Sequence, residues 1–363
     1  MFNKSCEGST ERLLQYCMGY LLSYIGTGIM VKYFTGSVFG KLPIMSELQY
    51  LVYSTAFSSL MCVLIVVGLG WYKMKSDRMI SVLGIKMPHE VAYIIPSGIC
   101  TAIVIPTTTL MYLLPISVMV AMTIMRASVI IISRLVDAVL IYQGILKRKV
   151  YREENIAVVF ALVAASMQLL WIKPGDFDFV HNKVAMLILG SYIVAYAIRI
   201  YIMNYYRNTR PAGIQQDNKG FFAIEQFAAF TTMLLVTIGI LYCSCGSNAP
   251  ALVEVREAVV APHPLWALAG AAGLFYGFGA FFSVFIFMFK GRTATFAGLV
   301  NRLTSLVAGT IATLLSHFLL GWKWPKLADW LSLGFILVAV YFLSAAEKKR
   351  SAELKAASEI EKC

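Results

Sequence analysis

Residues 116–142 read ISVMVAMTIMRASVIIISRLVDAVLIY, and residues 294–320 read ATFAGLVNRLTSLVAGTIATLLSHFLL. Each run is long and apolar enough to cross a bilayer, which takes about 20 mostly apolar residues. Each also carries an arginine well inside it, Arg126 in the first and Arg302 in the second. Placing arginine at mid-membrane costs about 2.5–3.5 kcal/mol on insertion scales, so such a residue ordinarily faces a partner or a water-filled path. The two positions differ by 176, and the same shift lays Lys147 on Lys323 and Glu153 on Asp329. A charge triplet repeated at one spacing predicts that the chain is built from two related halves.

The rest of the chain agrees with this reading. Of its 363 residues 59% are hydrophobic and only 14% charged, well below the roughly 25% charged content of soluble domains. Ten apolar segments are predicted as membrane helices: 13–34, 48–72, 91–113, 116–142 and 154–172, then 184–206, 221–243, 265–289, 294–320 and 328–346. A shift of 173 places Ile29, Met30 and Tyr33 on Ile202, Met203 and Tyr206. The expected fold class is an all-α membrane protein of ten transmembrane helices, arranged as two inverted five-helix repeats around a central cavity. Residues 1–180 form the first repeat, 181–346 the second, and 347–363 a cytoplasmic tail whose mixed-charge run from Glu347 to Lys362 reads as a solvated helix. The longest polar interval, about Tyr242 to Pro264, is too short to bury a core of its own.

Charge orients the bundle. The net charge of +12 would suit nucleic acid in a soluble protein, but in a membrane protein basic residues collect in cytoplasmic loops. The termini and every second loop hold 20 Lys and Arg, and the other five loops hold 6. Both termini are therefore expected to be cytoplasmic, with a bacterial inner membrane favoured and a eukaryotic secretory membrane as the other setting. Five bases fall within spans: Lys32, Arg126, Arg134, Arg199 and Arg302. Because each half has five spans, the second half is inverted, a construction that lets one bundle rock against the other and open a midplane site to alternate sides.

With these features the chain resembles the drug/metabolite transporter superfamily in its EamA-like form. The stretch Met125-Arg126-Ala127-Ser128-Val129-Ile130-Ile131 is similar to the pattern of the fourth helix in that family. In the ninth span Gly298-Leu299-Val300-Asn301-Arg302 is similar to the Gly-Ala-Leu-Asn-Lys motif of GDP-mannose transporters. That resemblance implies that Gly298, Asn301 and Arg302 contact the sugar and phosphate end of a ligand. The nucleotide-sugar relatives carry Phe-Tyr-Asn-Asn in the seventh helix, where this chain has Ala223-Ile224-Glu225-Gln226. Guanine recognition does not carry over, and Glu225 and Gln226 take the place of the base-reading pair.

Arg126 and Arg302 suit phosphate or carboxylate, since guanidinium is planar, bidentate and permanently charged. The alternative for each is a structural lock in which it pairs within the bundle. Arg134 and Asp137, three residues apart, are expected to neutralise each other on one face of the fourth span or to serve an inner gate. Arg199 has no local acid, and its expected partner is Glu225 across the helices. Pro96, Pro106 and Pro115 punctuate the third span and its turn into the fourth. Gly270, Gly273, Gly277 and Gly279 read as helix-packing positions.

These features predict a secondary transporter or exchanger of a small anionic metabolite, phosphorylated and nucleotide-linked ones included, working by alternating access. Its partners would be that anion and membrane lipid, with the chain a monomer or homodimer; nucleic acid is not expected. A proton-coupled exporter of amino acids, amines or drugs, a flippase for a lipid-linked anion, and a non-transporting membrane protein are the alternatives. No enzyme, cofactor or metal is expected: His89, His181, His263 and His317 are scattered, and Cys243 and Cys245 form a lone C-x-C.

Overall fold

The computed structural model describes residues 9–36, 42–74, 76, 79–82, 85–113, 118–146, 150–167, 170, 183–210, 216–244, 246, 249–321, 324–325 and 327–360. Its described residues form eleven helices and one two-stranded hairpin. The helices are α1 (Thr10–Thr35), α2 (Glu47–Gly68), α3 (Val91–Leu113), α4 (Val118–Tyr142), α5 (Arg152–Ser166) and α6 (Lys183–Asn208). They continue with α7 (Asn218–Ser244), α8 (Pro250–Val260), α9 (Trp266–Phe287), α10 (Ala294–Leu320) and α11 (Leu327–Ile360). Seven of them, α2, α3, α6, α7, α9, α10 and α11, are long and apolar enough to cross a membrane. Helices α1 and α4 are as long, at 26 and 25 residues, while α5 has 15 residues.

Two features depart from the sequence expectation. Strands β1 (Met79–Val82) and β2 (Ile85–Pro88) pair antiparallel, Met79 opposite Pro88, in the loop between α2 and α3. The polar interval after α7 contains the short helix α8, which starts on Pro250 at its first turn, where the missing N–H costs no hydrogen bond. Helix α11 continues from the last expected span through the run read as a helical tail, as far as Ile360. The boundary between the expected halves, at 180–181, and Pro115 lie outside the described residues.

Contacts between neighbours close a ring. Helix α2 packs on α9, α9 on α1, α1 on α10, α10 on α4, α4 on α6, α6 on α3, α3 on α7, and α7 back on α2. Helices α5 and α11 lie together against α4 and α10. Their contact is made by small residues: Ala157, Ala161 and Ala164 form a buried stripe on α5, and Ser332 donates a 2.8 Å hydrogen bond to the carbonyl of Ala164. Phe160 stacks on Phe342 at 5.9 Å. In lipid the helices gain no hydrophobic driving force from meeting, so close approach of small residues carries the packing. Gly273 is the tightest case on α9, because a Cβ there would lie 2.2 Å from the backbone oxygen of Ser54.

At one end of the ring, called the basic end below, α4 meets the start of α10. Asp137 is fully buried and accepts hydrogen bonds from the backbone N–H groups of Ala294 (2.8 Å) and Thr295 (2.6 Å). A carboxylate is well placed there, since a helix start presents unpaired donors and the positive end of its dipole. Thr293 caps the same helix by accepting from Phe296 N–H, and donates to Glu154 Oε2 at 3.0 Å. Glu154 pairs with Arg350, and Arg292 with Glu347, so α5 and α11 are tied to the same point. Thr10 of α1 joins them through Glu347.

Candidate functional site

Arg302 sits in the middle of α10, which is wholly buried from Ala294 to Leu303. Its guanidinium lies 5.1 Å from the ring centre of Tyr196, with Tyr192, Tyr20 and Tyr24 also close. Two tyrosine pairs at i, i+4 spacing form the cage, Tyr20–Tyr24 on α1 and Tyr192–Tyr196 on α6, with ring centres 5.3 and 5.2 Å apart. Helices α1 and α6 are not neighbours in the ring, so residues converging from both mark its interior. Tyr276 of α9 completes the cluster beside Tyr20. Nε and Nη2 of Arg302 are buried and have no hydrogen-bond partner among the described residues. Cation–π contact contributes about 0.5–2 kcal/mol, but it leaves the in-plane N–H donors unused. A buried guanidinium with idle donors is expensive to maintain unless something else receives them.

Asn301, next to it, is committed to the scaffold. It accepts from Tyr20 Oη at 3.4 Å and donates to Ser283 Oγ at 2.9 Å, joining α1, α10 and α9. Gly298 is likewise a packing position in this structure: a Cβ there would fall 2.2 Å from Ser133 Oγ of α4.

Arg199 forms a bidentate pair with Glu225, Nε to Oε1 at 2.9 Å and Nη2 to Oε2 at 3.2 Å. Ser97 and Thr101 of α3 donate to the same carboxylate at 2.7 and 3.2 Å. The carboxylate is fully buried and accepts four hydrogen bonds, three of them on Oε1. Tyr196 lies between this pair and Arg302, so the two arginines face one aromatic cluster, one neutralised and one not. Gln226, beside Glu225, is buried with Nε2 unpartnered among the described residues.

Arg126 is half-buried on α4 and has no hydrogen-bond or ion-pair partner among the described residues. Its Nη2 lies 3.6 Å from where a Cβ on Gly309 would be, so it borders α10 two turns beyond Arg302. The contacts Ser133–Gly298, Asp137–Ala294 and Arg126–Gly309 fix α4 and α10 as antiparallel neighbours. In that register Arg126 stands level with about residue 307, five residues from Arg302, which at 1.5 Å per residue separates the two arginines by about 7 Å along the axis. Lys32 of α1 donates to Thr313 Oγ1 at 3.1 Å one further turn along. Positions 302, 309 and 313 lie on one face of α10 (i, i+7, i+11), so three cations line a single track away from the basic end.

One expectation is corrected. Arg134 and Asp137 do not pair: Arg134 Nε donates to Asn155 Oδ1 at 3.1 Å, while Asp137 turns inward to cap α10. Two backbone donors and a helix dipole outcompete a solvent-facing guanidinium for that carboxylate. The tyrosine cage is marked in the sequence only by the repeated spacing Tyr20-x-x-x-Tyr24 and Tyr192-x-x-x-Tyr196, one residue off the shift that lays Ile29 on Ile202. No group of three metal-ligating side chains occurs among the described residues; Cys243 is exposed, and Cys245 lies outside them.

No family model matches this chain, and no curated protein does. Among solved structures it is similar to a protein described only as "Crystal structure of protein", at 14% identity and a TM-score of 0.52, over 94% of this chain and 99% of that one. That likeness concerns the fold alone.

Proposed function

We propose that the protein is a secondary transporter or exchanger of a small anionic metabolite, with ten spans in two inverted repeats, both termini cytoplasmic and Arg302 the principal anion ligand. The observation that carries this reading is the idle Nε and Nη2 of a buried arginine inside the ring. A phosphate or carboxylate supplies the planar, bidentate acceptor that those donors lack. The packing supports the repeat. Exchanging α1 with α6, α2 with α7, α3 with α9, α4 with α10 and α5 with α11 maps the ring of contacts onto itself. The resemblance to the drug/metabolite transporter superfamily points the same way.

In this reading the basic end is the cytoplasmic gate and is closed. Asp137 holds the start of α10 against α4, and the Glu154–Arg350 and Glu347–Arg292 pairs clamp it from α5, α11 and α1. Lys32 and Arg126 draw the anion in from the opposite side, and Arg302 receives it at the tyrosine cage. Opening the cytoplasmic side then requires α10 to leave Asp137. The proton-coupled alternative fits less well, because Glu225 is already engaged by Arg199, Ser97 and Thr101.

A thermal-shift panel of nucleotides, sugar phosphates, organic acids and amino acids tests the substrate class. A ligand present at 100 times its Kd adds about 2.7 kcal/mol to apparent stability. Stabilisation by anions, abolished in Arg302→Ala, is the expected result. Stabilisation only by amines or neutral amino acids contradicts it.

A further inference from the structure

Apart from the tyrosine cage, a cavity lies on the flank where α1, α10 and α11 meet. It has a volume of about 720 Å³, within the ~300–1,000 Å³ range of sites that enclose organic ligands. Leu14, Met18 and Leu21 of α1, Val307 of α10 and Val340 of α11 are among its walls. Leu14 and Met18 are more than half exposed, so the cavity opens sideways through apolar side chains rather than to an aqueous end.

The geometry points to a binding site for one anionic phospholipid of the cytoplasmic leaflet, an acyl chain lying in this groove and its headgroup at Lys348. The groove runs from Thr10 to Leu21 along α1 and from Phe296 to Val307 along α10. Eleven residues of helix span about 16 Å, close to half of the ~30 Å hydrocarbon core of a bilayer. Its length is therefore that of a single leaflet, too short for a membrane-crossing partner helix. Its only polar end is the basic end of the bundle, where Thr10, Ser344, Glu347 and Lys348 line the rim. Glu347 is tied to Arg292 and Thr10. Lys348 is exposed and has no ion pair among the described residues, which leaves an uncompensated cation at headgroup depth. An amphiphile with a long apolar tail and an anionic head matches both features. Occupancy would also bear on gating, since the groove is walled by Phe296 and rimmed by Glu347, both part of the contacts that hold the start of α10.

The test uses the full chain in nanodiscs doped with a phosphatidylglycerol that carries a photoreactive diazirine on one acyl chain, compared with the matching phosphatidylcholine probe. Cross-linked peptides are mapped by mass spectrometry. The expected outcome is adducts concentrated on residues 14–21 and 340–344, about fivefold fewer in Lys348→Ala, the factor one interfacial lysine contributes to anionic-lipid attraction. Leu14→Trp with Met18→Trp, both at exposed positions, fills the mouth and should reduce labelling by either probe. Adducts spread evenly over all lipid-facing helices would overturn the site. Equal labelling by phosphatidylcholine, or insensitivity to Lys348→Ala, would overturn the headgroup assignment. Cross-links between two copies of the chain across α1 and α11 would show a dimer contact in its place.

Discussion

Replacing Asp137 with asparagine probes the contact that holds the start of α10 against α4. The side chain keeps its shape and one carbonyl acceptor, but its amide end now faces the second backbone N–H at the start of α10. One of two charge-assisted hydrogen bonds, at 2.6–2.8 Å, is lost, together with the charge opposite the helix dipole. A hydrogen bond to a charged group contributes about 1.5–3 kcal/mol, and a charge at a buried helix end up to about 2 kcal/mol. The two overlap because they belong to one carboxylate, so a loss of about 2 kcal/mol is expected, or about 30-fold in the closing equilibrium. Hydrogen-exchange mass spectrometry of the detergent-solubilised protein reads this directly. Exchange at 294–298 should accelerate by about 30-fold while α2, α9 and the Arg199–Glu225 region stay as protected as in the parent. Unchanged exchange at 294–298 would refute the reasoning about the cap. Uniform acceleration in every helix would mean that Asp137 supports the whole fold and is not a state-specific latch.

The buried pairs respond differently. Arg199→Met strands the Glu225 carboxylate and should lower stability by about 3–5 kcal/mol, whereas Arg199→Met combined with Glu225→Leu should recover most of that loss; thermal melts of the three proteins decide it, and a harmless single variant would show that the pair is not maintained. Gly298→Ala pushes a methyl into Ser133 and should cost about 1–3 kcal/mol through overpacking. Ser133→Gly in the same chain should restore the melting temperature, and failure to do so would place the conflict elsewhere. Arg302→Ala should leave the melting temperature unchanged or raised, because it removes a buried guanidinium whose Nε and Nη2 have no hydrogen-bond partner among the described residues, against the loss of one cation–π contact; a drop of several kcal/mol would make it a structural arginine.

Hydrophobic length made the helices legible, and the predicted spans at 91–113 and 294–320 coincide with α3 and α10. Periodic burial could not reveal the hairpin at Met79–Pro88, where eight residues pair only with each other at the edge of the bundle. The mixed-charge run after the last apolar segment reads as a helix, and in the structure it continues α11, with Glu347, Lys349 and Arg350 held by Arg292, Glu153 and Glu154 from elsewhere in the chain. At the site, the anomaly of a buried charge picked out Arg302, Arg199 and Glu225. What each one met was a long-range matter. Local spacing put Asp137 with Arg134, whereas the backbone donors of a helix 157 residues away hold it. The tyrosines deep in α1 and α6 carry no charge and lie within apolar runs, so nothing local marks them, and their convergence on Arg302 from two separated helices is what sets them apart.

Uptake of the stabilising anion into proteoliposomes tests the central claim most directly, with the parent compared with Arg302→Ala and Arg126→Ala. Loss of two charge-assisted donors at the cage should cut transport by Arg302→Ala about 100-fold or more. A smaller loss is expected for Arg126→Ala, whose guanidinium is half-buried, and partial retention for Arg302→Lys, which keeps the charge without the fork. Parent-level uptake in well-folded Arg302→Ala and Arg126→Ala would contradict the account and remove both arginines from the substrate path.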